Sequence, residues 1–326
     1  MSLIIRAHEH HRKIEFYELK RGYLRLNLTN YGATIISVIT PDKHGNLGDI
    51  VLGYGPLILI RMIQFTSVPL LDVWQVGSEE LNSLWKAKPT NCPLMITGTH
   101  FTVAQEASVM SYGQWNPTRN TVMLSWKTKV SVTYMLIGTH EFGVKMIAKQ
   151  VDKATPVNLA QHTYWNLRGH NSGDILSHTV QIFGSHITPV DKLLIPTGEI
   201  ISVKGTPYDF LEPKKVGSQI QEGLYDMNYV LDKSFQKHLS KAAVVIDPVS
   251  GRKLELWSNQ LGLQFYTSGQ LNATKGKDEA LYGKHAGIAL ETKGFPDSVN
   301  YPYFPSQIVK PGEIYEHTML YKFTAN

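Results

Sequence analysis

The sequence is short of several things, and each shortage removes a class of protein. Its 326 residues include a single cysteine, Cys92, so no intrachain disulfide can form. The chain is read as one that folds without such staples or works in a reducing compartment. No uninterrupted apolar run approaches the ~20 residues that a membrane helix needs. In the opening stretch, Met1 to Lys13, the apolar run Leu3-Ile4-Ile5 is too short for a signal-peptide core, and charges follow it at once. The expectation is a soluble cytoplasmic protein that touches no membrane. Charge of one sign is thin as well. The formal net charge is +5, but Lys and Arg stand singly or in pairs such as Lys214-Lys215. An excess dispersed this way is a solubility feature, whereas a nucleic-acid partner requires clustering on one face. There is no G-x-G-x-x-G turn, phosphate loop, C-x-x-C pair or G-x-S-x-G elbow, so the enzymes built on those devices are excluded. His8, His10 and His11 cluster near the start without a second shell, and are read as a frayed terminus, not a metal site. Amphipathic helices are also scarce. The best helical candidate is a short turn over Pro213 to Gln221, with the proline at the first helical position.

What the sequence does have is a hydrophobic period of two. Leu24, Leu26 and Leu28 alternate with Arg25, Asn27 and Thr29. Leu124 and Trp126, then Val130, Val132 and Tyr134, alternate with smaller or polar residues, and Tyr315, His317, Met319, Tyr321 and Phe323 share one face of a last strand. Turn residues separate these runs at Pro196-Thr197-Gly198, Pro248 to Gly251 and Pro311-Gly312. The expected fold is all-β: two large antiparallel sheets packed face to face as a β-sandwich, forming one domain over residues 1–326. Only Gly55 to Thr118 lacks a clear period.

Three polar residues interrupt these patterns. His162 lies in a segment, Val157 to Leu167, read as a strand that puts His162, Tyr164 and Asn166 on one face. An imidazole beside a phenol can hand over protons, but the residues alone favour a core-edge histidine satisfied by its neighbours. Glu291 ends the apolar run Ala286 to Leu290. A half-desolvated carboxylate there would have a raised pKa and serve as a base, or the strand simply emerges into solvent. Asp226, between Tyr225 and Met227, either accepts hydrogen bonds from hydroxyls or opens a turn. Gln264 alternates with Leu263 and Phe265 and so falls on a polar face.

In order along the chain, Asn30 to Tyr54, Ala154 to Leu176 with its HTYWNL core, Ile187 to Ile200, Gly205 to Gly217, Tyr225 to Asp232, Gly262 to Ser268, and Ala289 to Phe323 with LETKGFPD resemble the aldose 1-epimerases (galactose mutarotases), particularly plant-type members. The resemblance implies the galactose mutarotase-like supersandwich. It also implies interconversion of the α and β anomers of hexoses such as glucose and galactose. It puts Glu291 in the role of base and His162 in that of acid, with Asp226, Gln264, Tyr164 and Arg61 binding the sugar. No metal or organic cofactor is implied, and the expected partner is the small-molecule hexose, bound by a monomer or weak dimer. The sequence departs from the family after Tyr54. Ile60 precedes Arg61 where the family has asparagine, and no histidine between His44 and His100 supplies an LHGG-type motif, so the N-terminal third reads as degenerate. A catalytically impaired sugar-binding or regulatory protein on the same fold is therefore the alternative, and a glycoside hydrolase using Asp226 and Glu291 ranks third.

Overall fold

The computed structural model describes residues 15–53, 100–112, 123–150, 153–220, 225–232 and 239–326. Among them there is no α-helix, and the helical turns are 3-10 segments of three residues each. The turn expected over Pro213 to Gln221 shrinks to Val216–Ser218, because Lys214–Lys215 pairs as a short strand instead. None of the described helices is long and apolar enough to cross a membrane.

Among the described residues every strand pair is antiparallel, and the strands form three main sheets. The four-stranded sheet contains Leu24–Thr29, whose leucines are fully buried while Arg25 and Asn27 are half-exposed, as the alternation requires. The eight-stranded sheet has Ile314–Ala325 near its middle, paired with Arg252–Ser258 on one side and Glu141–Gln150 on the other. His317, Met319, Tyr321 and Phe323 of that strand are buried on one face. The six-stranded sheet runs in the order Ile201–Ser202, His186–Thr188, Asp226–Val230, Gly262–Tyr266, Ile288–Lys293, Tyr164–Trp165.

The two larger sheets meet through their side chains. Trp165 packs its ring 5.5 Å from Tyr321 and 5.8 Å from Phe323. The Thr292 hydroxyl lies 2.9 Å from His317 Nε2. This contact sets the parity of the strand Ile288–Lys293. Thr292 turns inward to the other sheet, so Glu291 and Lys293 turn to the opposite face.

The strand expected over Val157 to Leu167 is mostly absent; only Tyr164–Trp165 pairs as a strand. The rest satisfies its backbone elsewhere. Val157 N donates to Gln307 O, Leu159 N to the Tyr315 hydroxyl and Asn166 N to Ile50 O. Asn166 leaves the polar face altogether, its buried amide donating to the carbonyls of Gly173 and Ala286. Arg252 anchors this region from below. Its buried guanidinium donates to the carbonyls of Thr40, Asn46, Leu167 and Arg168, tying the four-stranded sheet to the end of HTYWNL.

Candidate active site

Residues directly opposite in an antiparallel sheet share a face, so register alone assembles a polar surface on the six-stranded sheet. Asn228 pairs with Gln264, and Gln264 with Glu291. One row along, Asp226 pairs with Tyr266, Tyr266 with Ala289 and Ala289 with Tyr164. On the other side of the Glu291 row, Gly262 pairs with Lys293. Ala289 is the small member of its row, and the two tyrosines flanking it approach to 6.1 Å between ring centroids at 65°. The His162 imidazole sits against both rings, 4.8 Å from Tyr164 and 6.4 Å from Tyr266.

His162 Nε2 is 3.1 Å from Glu291 Oε1. An ionised carboxylate only accepts, so Nε2 carries the proton between them. The second carboxylate oxygen, Oε2, accepts from Lys293 Nζ at 3.2 Å. Glu291 and Lys293 are both buried. Beside them the Gln264 amide donates to Asp226 Oδ1 at 2.6 Å. Its own carbonyl oxygen is buried with no partner among the described residues, as is that of Asn228. These two neighbouring acceptors are suited to hydroxyl hydrogens of a ligand.

The electrostatics overturn one expectation. Burial does push the Glu291 carboxyl upward, but the charges of His162 and Lys293 and the Lys293 hydrogen bond outweigh it, and the pKa is held below the ordinary carboxylate value. The expected raised pKa is therefore wrong, because the sequence pattern carried burial and not the cations brought in by the fold. Tyr266 shifts the other way. Burial, together with the charges of Asp226 and Glu291, raises its pKa, so the phenol stays a hydrogen-bond donor.

His162, Glu291, Asp226, Gln264 and Tyr164 thus converge on one sheet face. Arg61 lies outside the described residues, as do Cys92, the His8 cluster and the region expected to lack the LHGG-type motif. Sequence reasoning missed Lys293, Tyr266 and Asn228. Parity was the available signal: Lys293 lies two residues past Glu291, Tyr266 two past Gln264, and Asn228 two past Asp226, each on its neighbour's face. Among the described residues no group of three or more His, Cys, Asp or Glu side chains is arranged to hold a metal.

The site sets an imidazole–carboxylate pair beside open amide acceptors on one face of an antiparallel sheet, and comparison with known proteins gives the class. The family model for aldose 1-epimerase matches residues 101–322. Galactose mutarotase from Homo sapiens is 35% identical over 330 aligned positions, covering 95% of this chain and 94% of that one. The Bos taurus galactose mutarotase is 36% identical with the same coverage. Among solved structures, a GalM/aldose epimerase homologue from C. elegans superimposes with a TM-score of 0.77 at 21% identity, covering 96% of this chain and all of that one. The chain belongs to the aldose 1-epimerase family, and it is an isomerase of the all-β, galactose mutarotase-like fold.

Proposed function

We propose that this protein interconverts the anomers of a hexose such as galactose or glucose, with Glu291 as general base and His162 as general acid. The observation that carries the reading is the 3.1 Å approach of His162 Nε2 to Glu291 Oε1. The hydroxyl O1 and the ring oxygen O5 are both bonded to C1, so the groups that serve them must themselves be neighbours. Glu291 Oε1 takes the proton from O1 and His162, as imidazolium, gives its Nε2 proton to O5. The C1–O5 pair of electrons moves onto O5 and C1=O1 forms. After rotation about C1–C2, the O5 hydroxyl attacks the other face of C1. His162 then recovers its proton and Glu291 returns one to O1. No other reagent is consumed, since both protons and the leaving oxygen belong to the sugar and the two side chains.

Asp226 and the open amide oxygens of Gln264 and Asn228 accept hydrogen bonds from the remaining hydroxyls. Tyr164 and Tyr266 offer ring faces to the apolar side of the sugar. The intact acid–base contact supports catalysis over a role limited to sugar binding. The single cysteine fits work in a reducing compartment such as the cytoplasm.

Polarimetry on freshly dissolved α-galactose or α-glucose tests the reading. Purified protein should speed the drift to equilibrium, and His162→Ala should remove about 10²–10⁴-fold of that acceleration. An unaccelerated drift, or full activity in the His162 variant, would reject it.

A further inference from the structure

The mechanism above gives no task to Lys293, a buried cation in contact with the base. Lys293 is 5% exposed, which is costly for an ammonium unless it is paired. Its nitrogen meets Glu291 Oε2 at 3.2 Å, while His162 occupies Oε1. The two oxygens of one carboxylate are therefore divided between a histidine that exchanges its proton and a lysine.

Parity fixes this arrangement. Lys293 and Glu291 sit two apart on one strand, both facing away from Thr292 and the eight-stranded sheet. The cross-strand partner of Lys293 is Gly262, which has no side chain to compete for the space. A Cβ at position 262 would lie 2.7 Å from Asn228 Oδ1 and 3.0 Å from the Lys293 carbonyl. Glycine here keeps the row narrow beside the lysine.

We infer that Lys293 is a positioning residue for the base: its ammonium anchors Glu291 Oε2, leaves Oε1 as the oxygen that exchanges a proton with O1, and keeps the carboxylate ionised in mildly acidic solution. This rests on Glu291 acting as the base. Among the described residues, the other titratable groups on this sheet face are His162 and Tyr164 from the segment around Tyr164–Trp165, Tyr266 from the strand Gly262–Tyr266, and Asp226 from the strand Asp226–Val230. The one like charge among them, Asp226, is held by the Gln264 amide at 2.6 Å. His162 loses its charge when it protonates O5, whereas Lys293 keeps its own. In the open-chain state Lys293 thus faces a neutral Glu291, which makes that carboxyl a stronger acid and drives its proton back to O1 as the ring closes. The downward shift of the Glu291 pKa, set by burial and then by His162 and Lys293, agrees with this arrangement.

The test compares wild type, Lys293→Gln, Lys293→Met, Lys293→Arg and Glu291→Gln by polarimetry across about pH 4 to about pH 8. Losing an opposite charge in contact should raise the acid limb of kcat/KM by about one pH unit in the Gln and Met variants, a roughly tenfold loss on that limb, with KM little changed. The Arg variant should keep the wild-type limb. Should Gln or Met destabilise the fold, direct titration of the Glu291 carboxyl by carbon NMR in wild type and the Arg variant reads the same effect. It should place both carboxyls below the ordinary value.

An unmoved acid limb in folded Gln and Met variants overturns the inference, as does an ordinary or raised carboxyl titration. An equal loss at all pH values in Gln, Met and Arg assigns Lys293 a packing role and overturns it too. Retained activity in Glu291→Gln, or none in wild type, instead strikes the base assignment and takes the inference down with it. The two failures are thereby told apart.

Discussion

Replacing Glu291 with glutamine keeps the shape of the side chain and removes its charge, and the surroundings dictate two separate consequences. The kinetic one is the loss of the proton acceptor at Oε1, 3.1 Å from the His162 nitrogen. A positioned general base contributes roughly 10²–10⁴-fold, so kcat should fall by that factor while KM moves little. The second consequence is thermodynamic. Lys293 Nζ, now 3.2 Å from an ionised oxygen, would be left buried beside a neutral amide. Removing one partner of a buried pair costs about 3–5 kcal/mol, because the surviving charge stays desolvated. For a chain of this length that corresponds to a Tm lower by roughly 4–7 °C. Adding Lys293→Met to Glu291→Gln removes the second charge of the buried pair, so the double variant should recover part of the lost stability and none of the activity. Polarimetry and thermal unfolding of the wild type, both singles and the double complete the cycle. Additive stability losses would refute the buried pair, and an active Glu291→Gln enzyme would refute the mechanism.

Two further predictions concern the frame that holds the site. His317 is wholly buried, and burial pulls its pKa from 6.5 to about 3 against an opposing bond to the Leu159 carbonyl; burial likewise pulls His178 to about 4 despite the Asp247 charge nearby. The unfolded chain binds protons on both imidazoles below 6.5 and the folded chain does not, so stability is fully present above that pH. It should fall by roughly 2 kcal/mol per histidine on descent to about pH 5. Urea midpoints that stay level over this interval would contradict the burial, and the depressed Glu291 carboxyl adds a further loss only below 4.5. Arg252→Met strips a donor from the carbonyls of Thr40, Asn46, Leu167 and Arg168 and should cost about 3–4 kcal/mol in denaturant unfolding; an effect under about 1 kcal/mol would mean those carbonyls find water instead.

Local pattern was enough for the sheets. Alternation at Leu24, Leu26 and Leu28 and again from Tyr315 to Phe323 predicts which side chains are buried, because a strand with one face in the core can hide only every second residue. The same rule put Gln264 on a polar face, and the family motifs around His162, Asp226 and Glu291 named the residues worth placing. Alternation failed at Val157 to Leu167, where backbone groups pair with Gln307, Tyr315 and Ile50 instead of with a continuous strand. No period within that segment encodes those distant partners.

The chain by itself therefore determined the all-β class, most of the strand faces and which residues to propose as acid and base. Tertiary structure decided which oxygen of Glu291 meets His162 and that Lys293 holds the other. It also decided that the carboxyl is pulled down instead of pushed up. The reason is that burial can be read from neighbours in sequence, whereas a Coulomb interaction depends on distance through space. That distance exists only once strands far apart in the chain are brought into register.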